Sequence, residues 1–118
     1  MARRTLFRLQ DILEAIDDIG SLLQDKTFLD VTTDKPTRAA FERFVEILSE
    51  ASRHIPPELK VTESLLNWNN VADIGNHLRH AYHRANLEIL WNVHADGLFL
   101  QLRDAVVRMM VIMESNRD

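Results

Sequence analysis

The residues of this chain whose types and spacing could do chemistry lie in one segment, residues 75–84. This segment holds three of the five histidines of the chain and two of its arginines, and it contains no acidic residue. On a helix, residues three or four positions apart share a face, because each residue turns the chain by about 100°. Four polar residues of the segment have that spacing and would form one surface, which we call the polar strip: Asn76, Arg79, His80 and His83.

The same segment carries an apolar stripe that predicts how the polar strip is held. Apolar residues recur at helical spacing on the opposite side of the predicted helix, at Val71, Ile74, Leu78, Ala81 and Ala85. This side would pack against the rest of the protein. Tyr82 lies at the edge of the apolar stripe. The pattern therefore separates a packing face from a face that presents an amide, a guanidinium and two imidazoles.

The side chains of the polar strip suit metal-independent RNA cleavage. An imidazole titrates near neutral pH, so one histidine can accept a proton from the attacking 2′-hydroxyl while another donates a proton to the leaving oxygen. An arginine can hold the phosphate oxygens and stabilise the charge of the transition state. Polar residues opposite an apolar stripe are also typical of any surface helix, so an ordinary solvated face is the competing interpretation.

The histidine spacing also raises a metal site as a third interpretation. His77, His80 and His83 are three residues apart, but each step of three drifts by about 60° around a helix, so the outer two diverge. The segment offers no acidic ligand and no HExxH signature, and the chain has no Gly-rich phosphate loop, no GxSxG motif and no cysteine. We therefore expect neither a metal ion nor a cofactor. His54 and His94 stand alone and are predicted to be helix-end or surface residues.

The length and composition of the chain restrict what the segment can do. The chain has 118 residues, of which 46% are hydrophobic and 27% charged, and these values predict a single globular domain over residues 1–118. The net charge of −4, from 14 basic and 18 acidic residues, disfavours a protein whose whole surface binds nucleic acid. Without cysteine there are no disulfides. No apolar run could span a membrane, and the first residues do not read as a signal peptide, so we expect a cytoplasmic protein.

Glycine and proline are scarce, which predicts long helices with few interruptions. A first helix is predicted over residues 4–23 from an apolar stripe at Leu6, Leu9, Ile12, Leu13, Ile16 and Ile19. A loop over residues 24–35 follows, and its apolar residues Phe28, Leu29 and Val31 are expected to fold back onto the core. A second helix should begin near Pro36 and stop before Pro56 and Pro57, because neither proline can donate a backbone hydrogen bond.

The second half of the chain completes the predicted bundle. Residues 58–69 show no clear period, apart from an apolar anchor at Leu65, Leu66 and Trp68. A third helix is predicted from Asn70 to Tyr82, with Asn70 and Asp73 as a capping pair. After a connection at residues 84–86, one long last helix runs from Leu87 to about Ile112, with Gly97 as a bend. Together these elements predict an all-α fold, an antiparallel up-and-down bundle of four to five helices.

Residues 75–82 and the following residues 86–91 resemble the signature of HepT-like toxins in the HEPN superfamily, small bacterial helical proteins encoded beside a minimal nucleotidyltransferase. The likeness extends over nearly the whole chain, through residues 9–19, residues 41–57 and Trp68. The family motif is an arginine, a polar residue, a histidine and then a tyrosine. Asn76, His80 and Tyr82 match the last three, whereas Gly75 occupies the place of the arginine.

The resemblance implies an endoribonuclease toxin of a type VII-like toxin–antitoxin pair. A homodimer would join two signature helices into one RNA-cleaving cleft, with His80 as acid or base and with Arg79 and Asn76 on the phosphate. The nucleotidyltransferase antitoxin would neutralise the toxin by transferring AMP to Tyr82. Because Gly75 replaces the motif arginine, Arg79 would have to take over the phosphate contact. The alternative is a protein of the same fold that binds the nucleotidyltransferase or a nucleotide without cleaving RNA.

Overall fold

The computed structural model of the protein describes the backbone of residues 2–80 and 83–115, and the side chains of residues 2–75 and 87–115. All regular structure in these ranges is helical, with no strand, which confirms the predicted all-α class. The elements are α1 (Ala2–Leu23), α2 (Phe28–Thr33), α3 (Lys35–Arg53), α4 (Pro57–Lys60), a 3-10 turn (Val61–Glu63), α5 (Trp68–His80), α6 (His83–Ala95) and α7 (Leu98–Ser115). No helix in the described ranges is long and apolar enough to cross a membrane.

The longer helices pack side by side as a bundle, as predicted. Helix α1 lies against both α3 and α7, and α3 lies against α5. The ends of α3 and α7, at His54 and Met113, line one cavity with the start of α1 at Arg4, so both helices run antiparallel to α1. The core between them contains most of the apolar stripe predicted for α1, and its fully buried side chains include Leu9, Ile12, Ile19, Phe41, Val45, Leu48, Leu102 and Met109. Burial of each large apolar side chain contributes about 1.5–3 kcal/mol.

The segment predicted as a loop contains a short helix, α2. Thr27 begins it with a capping box, in which the Thr27 hydroxyl accepts a hydrogen bond from the Asp30 amide while the Asp30 carboxylate accepts one from the Thr27 amide. Val31 is completely buried, as expected for a segment that folds back, whereas Leu29 points outward and is 68% exposed. Helix α3 then begins at Lys35, next to the predicted Pro36.

The prediction of one long last helix is wrong, because Gly97 ends α6 instead of bending it. Gly97 has a backbone φ of +82°, a conformation that strains other residues. The Asp96 amide donates to the Asn92 carbonyl at 2.8 Å and the Gly97 amide donates to the His94 carbonyl at 3.2 Å, which closes the helix end. The apolar period continues across this turn because α6 and α7 both face the core.

The start of α5 also differs from its prediction. Asn67 is the capping residue, since its side-chain oxygen accepts a hydrogen bond from the Asn70 amide at 3.1 Å, and Asn70 is already inside the helix. Trp68 is buried and its indole nitrogen donates to the Glu63 carbonyl at 3.1 Å, as suits the predicted apolar anchor. Leu66 is partly buried against the core, but Leu65 is fully exposed.

Two ion pairs connect α7 to distant parts of the chain. The Arg103 guanidinium contacts the Asp17 carboxylate of α1 at 2.9 Å. Arg108 binds both carboxylate oxygens of Glu63, at 2.7 and 3.0 Å, and so holds the 3-10 turn before α5. The hydrogen bonds from these arginines lower the pKa of the Asp17 and Glu63 carboxyls.

Candidate functional site

Helix α5, which carries most of the polar strip, is held against α3 by an unusually close contact. The Ser49 hydroxyl donates a hydrogen bond to the Ala72 carbonyl at 2.7 Å and accepts one from the Gly75 amide at 3.0 Å. A Cβ atom at position 75 would lie 2.7 Å from the Ser49 Oγ and 3.0 Å from its Cβ. Glycine is therefore the residue that this spacing admits, and we call this arrangement the Ser49–Gly75 contact.

A second side chain of α3 binds the same stretch of α5. The Arg53 guanidinium donates to the Ala72 carbonyl at 3.0 Å. Ser49 binds Gly75, and Arg53, which follows Ser49 on α3, binds Ala72, which precedes Gly75 on α5. The two helices therefore run antiparallel. These contacts fix both the direction of α5 and its rotation about its own axis.

Neither Ser49 nor Arg53 is predicted from the sequence as a site residue. A signal for the first of them is present in the sequence as two pairs of small residues at helical spacing, Ser49 with Ser52 on α3 and Ala72 with Gly75 on α5. Ser52 is completely buried, and its hydroxyl donates to the Ser49 carbonyl at 2.6 Å. Small residues at such positions allow two helix backbones to approach each other closely.

The first turn of α5 is anchored by Trp68. Besides its hydrogen bond to Glu63, the indole ring lies below the Lys60 ammonium, with 5.7 Å between the nitrogen and the ring centroid. Burial lowers the pKa of Lys60. The N-terminal half of α5 is thus fixed at two levels, by Trp68 at its start and by the Ser49–Gly75 contact two turns later.

The backbone places three members of the polar strip, Asn76, Arg79 and His80, in the last turns of α5, as predicted. His83 is the first residue of α6, and the prediction of a connection at residues 84–86 is wrong, because these residues belong to the first turn of that helix. Tyr82, where the third helix was predicted to end, lies outside the described residues, as do the side chains of the whole polar strip.

The solvent side of α5 can still be identified from its described residues. Asn69 and Asp73 are both exposed, and positions 76 and 80 follow Asp73 by three and seven residues. On the helical backbone these two positions lie about 100° and 140° around the axis from Gly75, which faces α3. By backbone position they therefore lie on the same side of the helix axis as Asn69 and Asp73.

The remaining histidines differ from one another. His54 follows the end of α3 and its Nε2 lies 3.2 Å from a Glu50 carboxylate oxygen, which agrees with the predicted helix-end position. The prediction for His94 is wrong in part, because its ring is half-buried, with centroids 5.4 Å from Trp91 and 6.4 Å from Phe41. Burial lowers the pKa of His94. Neither residue belongs to the polar strip.

Two further features bear on ligand binding. Among the described side chains there is no group of three or more acidic residues or histidines that could hold a metal ion. The triplet His77, His80 and His83 lies outside these side chains. A cavity of about 780 Å³ opens between the start of α1 and the ends of α3 and α7, with Arg4, Arg8 and His54 among its lining residues.

Comparison with known proteins assigns the chain to a family. The profile of the family described as "Ribonuclease HepT-like" matches residues 12–109. A protein of Thermococcus cleftensis named "Probable ribonuclease HepT" is 36% identical over 83 residues, which cover 70% of this chain and 76% of that protein. A protein of Methanocaldococcus jannaschii named as a putative RNase is 33% identical over 85 residues, covering 72% of this chain and 70% of the relative. No solved structure gives a significant match.

Proposed function

The chain belongs to the HepT-like ribonuclease family, and from this membership we propose that it is an endoribonuclease that cleaves RNA without a metal ion. The observation that carries the proposal is that the family match, residues 12–109, includes the entire polar strip. Its relatives that are named as ribonucleases support the same activity. We further propose that the protein acts in the cytoplasm as the toxin of a type VII-like toxin–antitoxin pair.

In the proposed reaction the RNA supplies its own nucleophile. A histidine of the polar strip, His80, removes the proton of the ribose 2′-hydroxyl, and the O2′ atom attacks the adjacent phosphorus while the bond from phosphorus to the 5′ oxygen breaks. His83 returns a proton to that leaving oxygen. Arg79 and Asn76 bind the non-bridging phosphate oxygens, where charge accumulates in the transition state. The products would be a 2′,3′-cyclic phosphate and a free 5′-hydroxyl.

We propose that two copies of the chain form the cleft. The described part of α5 supports this arrangement, because Asn69 and Asp73 are exposed and do not take part in the hydrogen bonds with α3. In a symmetric dimer each chain would present this side to the other, so that two polar strips face one RNA. Sedimentation at micromolar concentration should show a dimer.

The proposed antitoxin is a minimal nucleotidyltransferase that transfers AMP to Tyr82. The added phosphate carries negative charge, and it would stand beside a cleft that binds the phosphates of RNA. Repulsion between like charges, together with the bulk of the nucleotide, would exclude the substrate. Tyr82→Phe should therefore stay active in the presence of the partner and ATP, whereas the wild type should become modified and lose activity.

The test of the activity is cleavage of end-labelled RNA by purified protein in EDTA. We expect cleavage by the wild type and by His54→Ala, a matched control outside the polar strip, and a loss of at least about 100-fold in His80→Ala. A substrate with a 2′-deoxyribose at the cleavage site should resist the enzyme. Equal cleavage by wild type and His80→Ala would refute the proposal, since it would indicate a contaminating nuclease or another site.

Absence of cleavage by a dimeric wild type would favour the alternative, an interaction protein of the same fold. That alternative was motivated by Gly75 in the place of the motif arginine. The Ser49–Gly75 contact provides a different reason for the glycine, because the helix packing requires it. Packing alone can thus account for the glycine.

A further inference from the structure

The cavity at one end of the bundle has the size and the lining of a small-molecule site. Its volume is about 780 Å³, and ligand pockets in proteins measure about 300–1,000 Å³. The first turns of α1, the end of α3, α4 and the last turns of α7 enclose it. Most of its wall is apolar and includes the side chains of Leu59, Ile112 and Met113. Such a wall favours the hydrocarbon part of a ligand.

Two arginines of α1 add positive charge to this apolar wall. Arg4 and Arg8 both line the cavity, and residues four apart lie on one face of a helix, about 6 Å apart along its axis. Neither guanidinium has a hydrogen bond or an ion pair with a described residue. On α7, by contrast, Arg103 and Arg108 each bind a carboxylate. The donors of Arg4 and Arg8 can therefore bind an anionic group that enters the cavity.

The other titratable side chains of the lining do not neutralise these two arginines. Glu58 is the one acidic residue among the described lining residues, and it forms no ion pair with Arg4 or Arg8. The Nε2 of His54 lies 3.2 Å from a carboxylate oxygen of Glu50, so this ring already has its partner on α3. The lining thus keeps an excess of positive charge in a chain whose net charge is −4. Charge complementarity favours an anionic ligand.

The side chains of the wall also restrict the body of the ligand. The described lining residues include no phenylalanine, tyrosine or tryptophan, so a nucleobase would lack the rings on which bases usually stack. Leu59 is buried, while Ile112 and Met113 are partly buried against the core. Methionine is a flexible side chain that adapts its shape to an irregular apolar neighbour. This wall therefore suits a hydrocarbon chain better than a flat aromatic ring.

We propose that the cavity binds an aliphatic anion, which is a molecule with a hydrocarbon chain and one carboxylate or phosphate head group. Arg4 and Arg8 hold the head group by charge-assisted hydrogen bonds. The chain lies against Leu59, Ile112 and Met113, where it is removed from water. This site is independent of RNA cleavage, and the proposal stands whether or not the protein is a ribonuclease.

Calorimetric titration of the purified chain with decanoate and with decyl phosphate, both below the concentrations at which micelles form, tests the proposal. We expect saturable binding of at least one of the two anions, and the tighter one identifies the head group. Decanol keeps the chain without the charge, and AMP keeps a phosphate without the chain. Each should bind at least about 10-fold more weakly. The proposal would be overturned if neither anion binds saturably, if decanol binds as tightly, or if AMP binds more tightly.

Arg3 offers a matched control for the two arginines, because it precedes Arg4 on α1, is exposed and is not among the residues that line the cavity. We expect the double variant Arg4→Gln/Arg8→Gln to raise the Kd of the tighter anion at least about 10-fold. Arg3→Gln should bind as the wild type does. Met113→Trp keeps both arginines but fills part of the cavity, so it should also weaken binding.

The variants separate a built site from a general attraction of anions to α1. Circular dichroism should show that all of them are folded, because Arg3, Arg4 and Arg8 all lie outside the buried core. An unchanged Kd in Arg4→Gln/Arg8→Gln would overturn the assignment of the head group. An equal loss of binding in Arg3→Gln would overturn the site itself, since any positive charge on α1 would then serve. An unchanged Kd in Met113→Trp would overturn the place of the chain.

Discussion

Replacing Gly75 with arginine would restore the family motif, but the structure predicts that it disrupts the protein instead. A Cβ atom at this position lies 2.7 Å from the Ser49 Oγ, so either Ser49 or the whole of α5 must move. Overpacking of this kind costs about 1–3 kcal/mol, and loss of the hydrogen bonds of Ser49 costs about 1 kcal/mol more. The better helix propensity of arginine returns about 0.8 kcal/mol.

The net expectation is a destabilisation of about 1–3 kcal/mol, which corresponds to about 4 °C in Tm per kcal/mol for a chain of this size. Urea unfolding followed by circular dichroism measures it. The control is Gly20→Arg, because Gly20 is exposed on α1 and a Cβ there has no atom within 4 Å. This control should be as stable as the wild type or slightly more stable.

The Gly75→Arg variant should gain no ribonuclease activity, because the side chain of an arginine at position 75 would extend from the face of α5 that packs on Ser49. Ser49→Gly, introduced beside Gly75→Arg, should recover part of the lost stability by removing the atoms that a Cβ would meet. If Gly75→Arg is as stable as the wild type and cleaves RNA faster, the reasoning is refuted and position 75 is a catalytic position that this chain has lost.

Three further predictions concern the stability of the bundle. Asn67→Ala should destabilise the protein by about 1 kcal/mol in urea unfolding, whereas Asn70→Ala, at the residue that the sequence alone marks as the cap, should cost less. Burial lowers the pKa of His94, so protonation of its ring opposes folding. The stability of the wild type should therefore fall as the pH drops below the ordinary histidine pKa of about 6.5, and the difference between the Tm values at pH 8 and pH 5 should be smaller in His94→Phe than in the wild type. Arg108 lowers the pKa of Glu63, so the stability advantage of wild type over Glu63→Gln should be present at pH 7 and disappear as the pH falls through the acidic range, and an advantage that persists at pH 2 would contradict the ion pair.

The sequence predicts those elements of the fold whose signals are local. The apolar periods of α1 and α3 and the prolines at positions 36, 56 and 57 mark helices within a few residues of their bounds. Gly97 shows where this approach fails. A turn between two helices that face the same core preserves the apolar period, so the break can be recognised only from the backbone conformation.

For the candidate site, residue types locate the polar strip but cannot reveal what holds it. Titratable side chains concentrated in ten residues are visible in any sequence, whereas the contacts of α5 with Ser49 and Arg53 join residues 19 to 26 positions apart. Such pairs carry no local period. From the sequence alone, Gly75 is interpreted as a position that lacks the motif arginine. The tertiary contact with Ser49 shows that it is a packing residue.

The two ion pairs of α7 form late in the synthesis of the chain, because α7 is the last helix to emerge from the ribosome. Arg103 pairs with Asp17, and Arg108 pairs with Glu63 in the turn that precedes α5. The pair with Asp17 cannot form until residue 103 has left the ribosomal exit tunnel, and the pair with Glu63 cannot form until residue 108 has left it, although α1, α3 and α5 have already emerged by then. Until that moment the bundle lacks α7 and the apolar faces that this helix covers. A nascent chain would thus stay incomplete while it is surrounded by ribosomal RNA and messenger RNA.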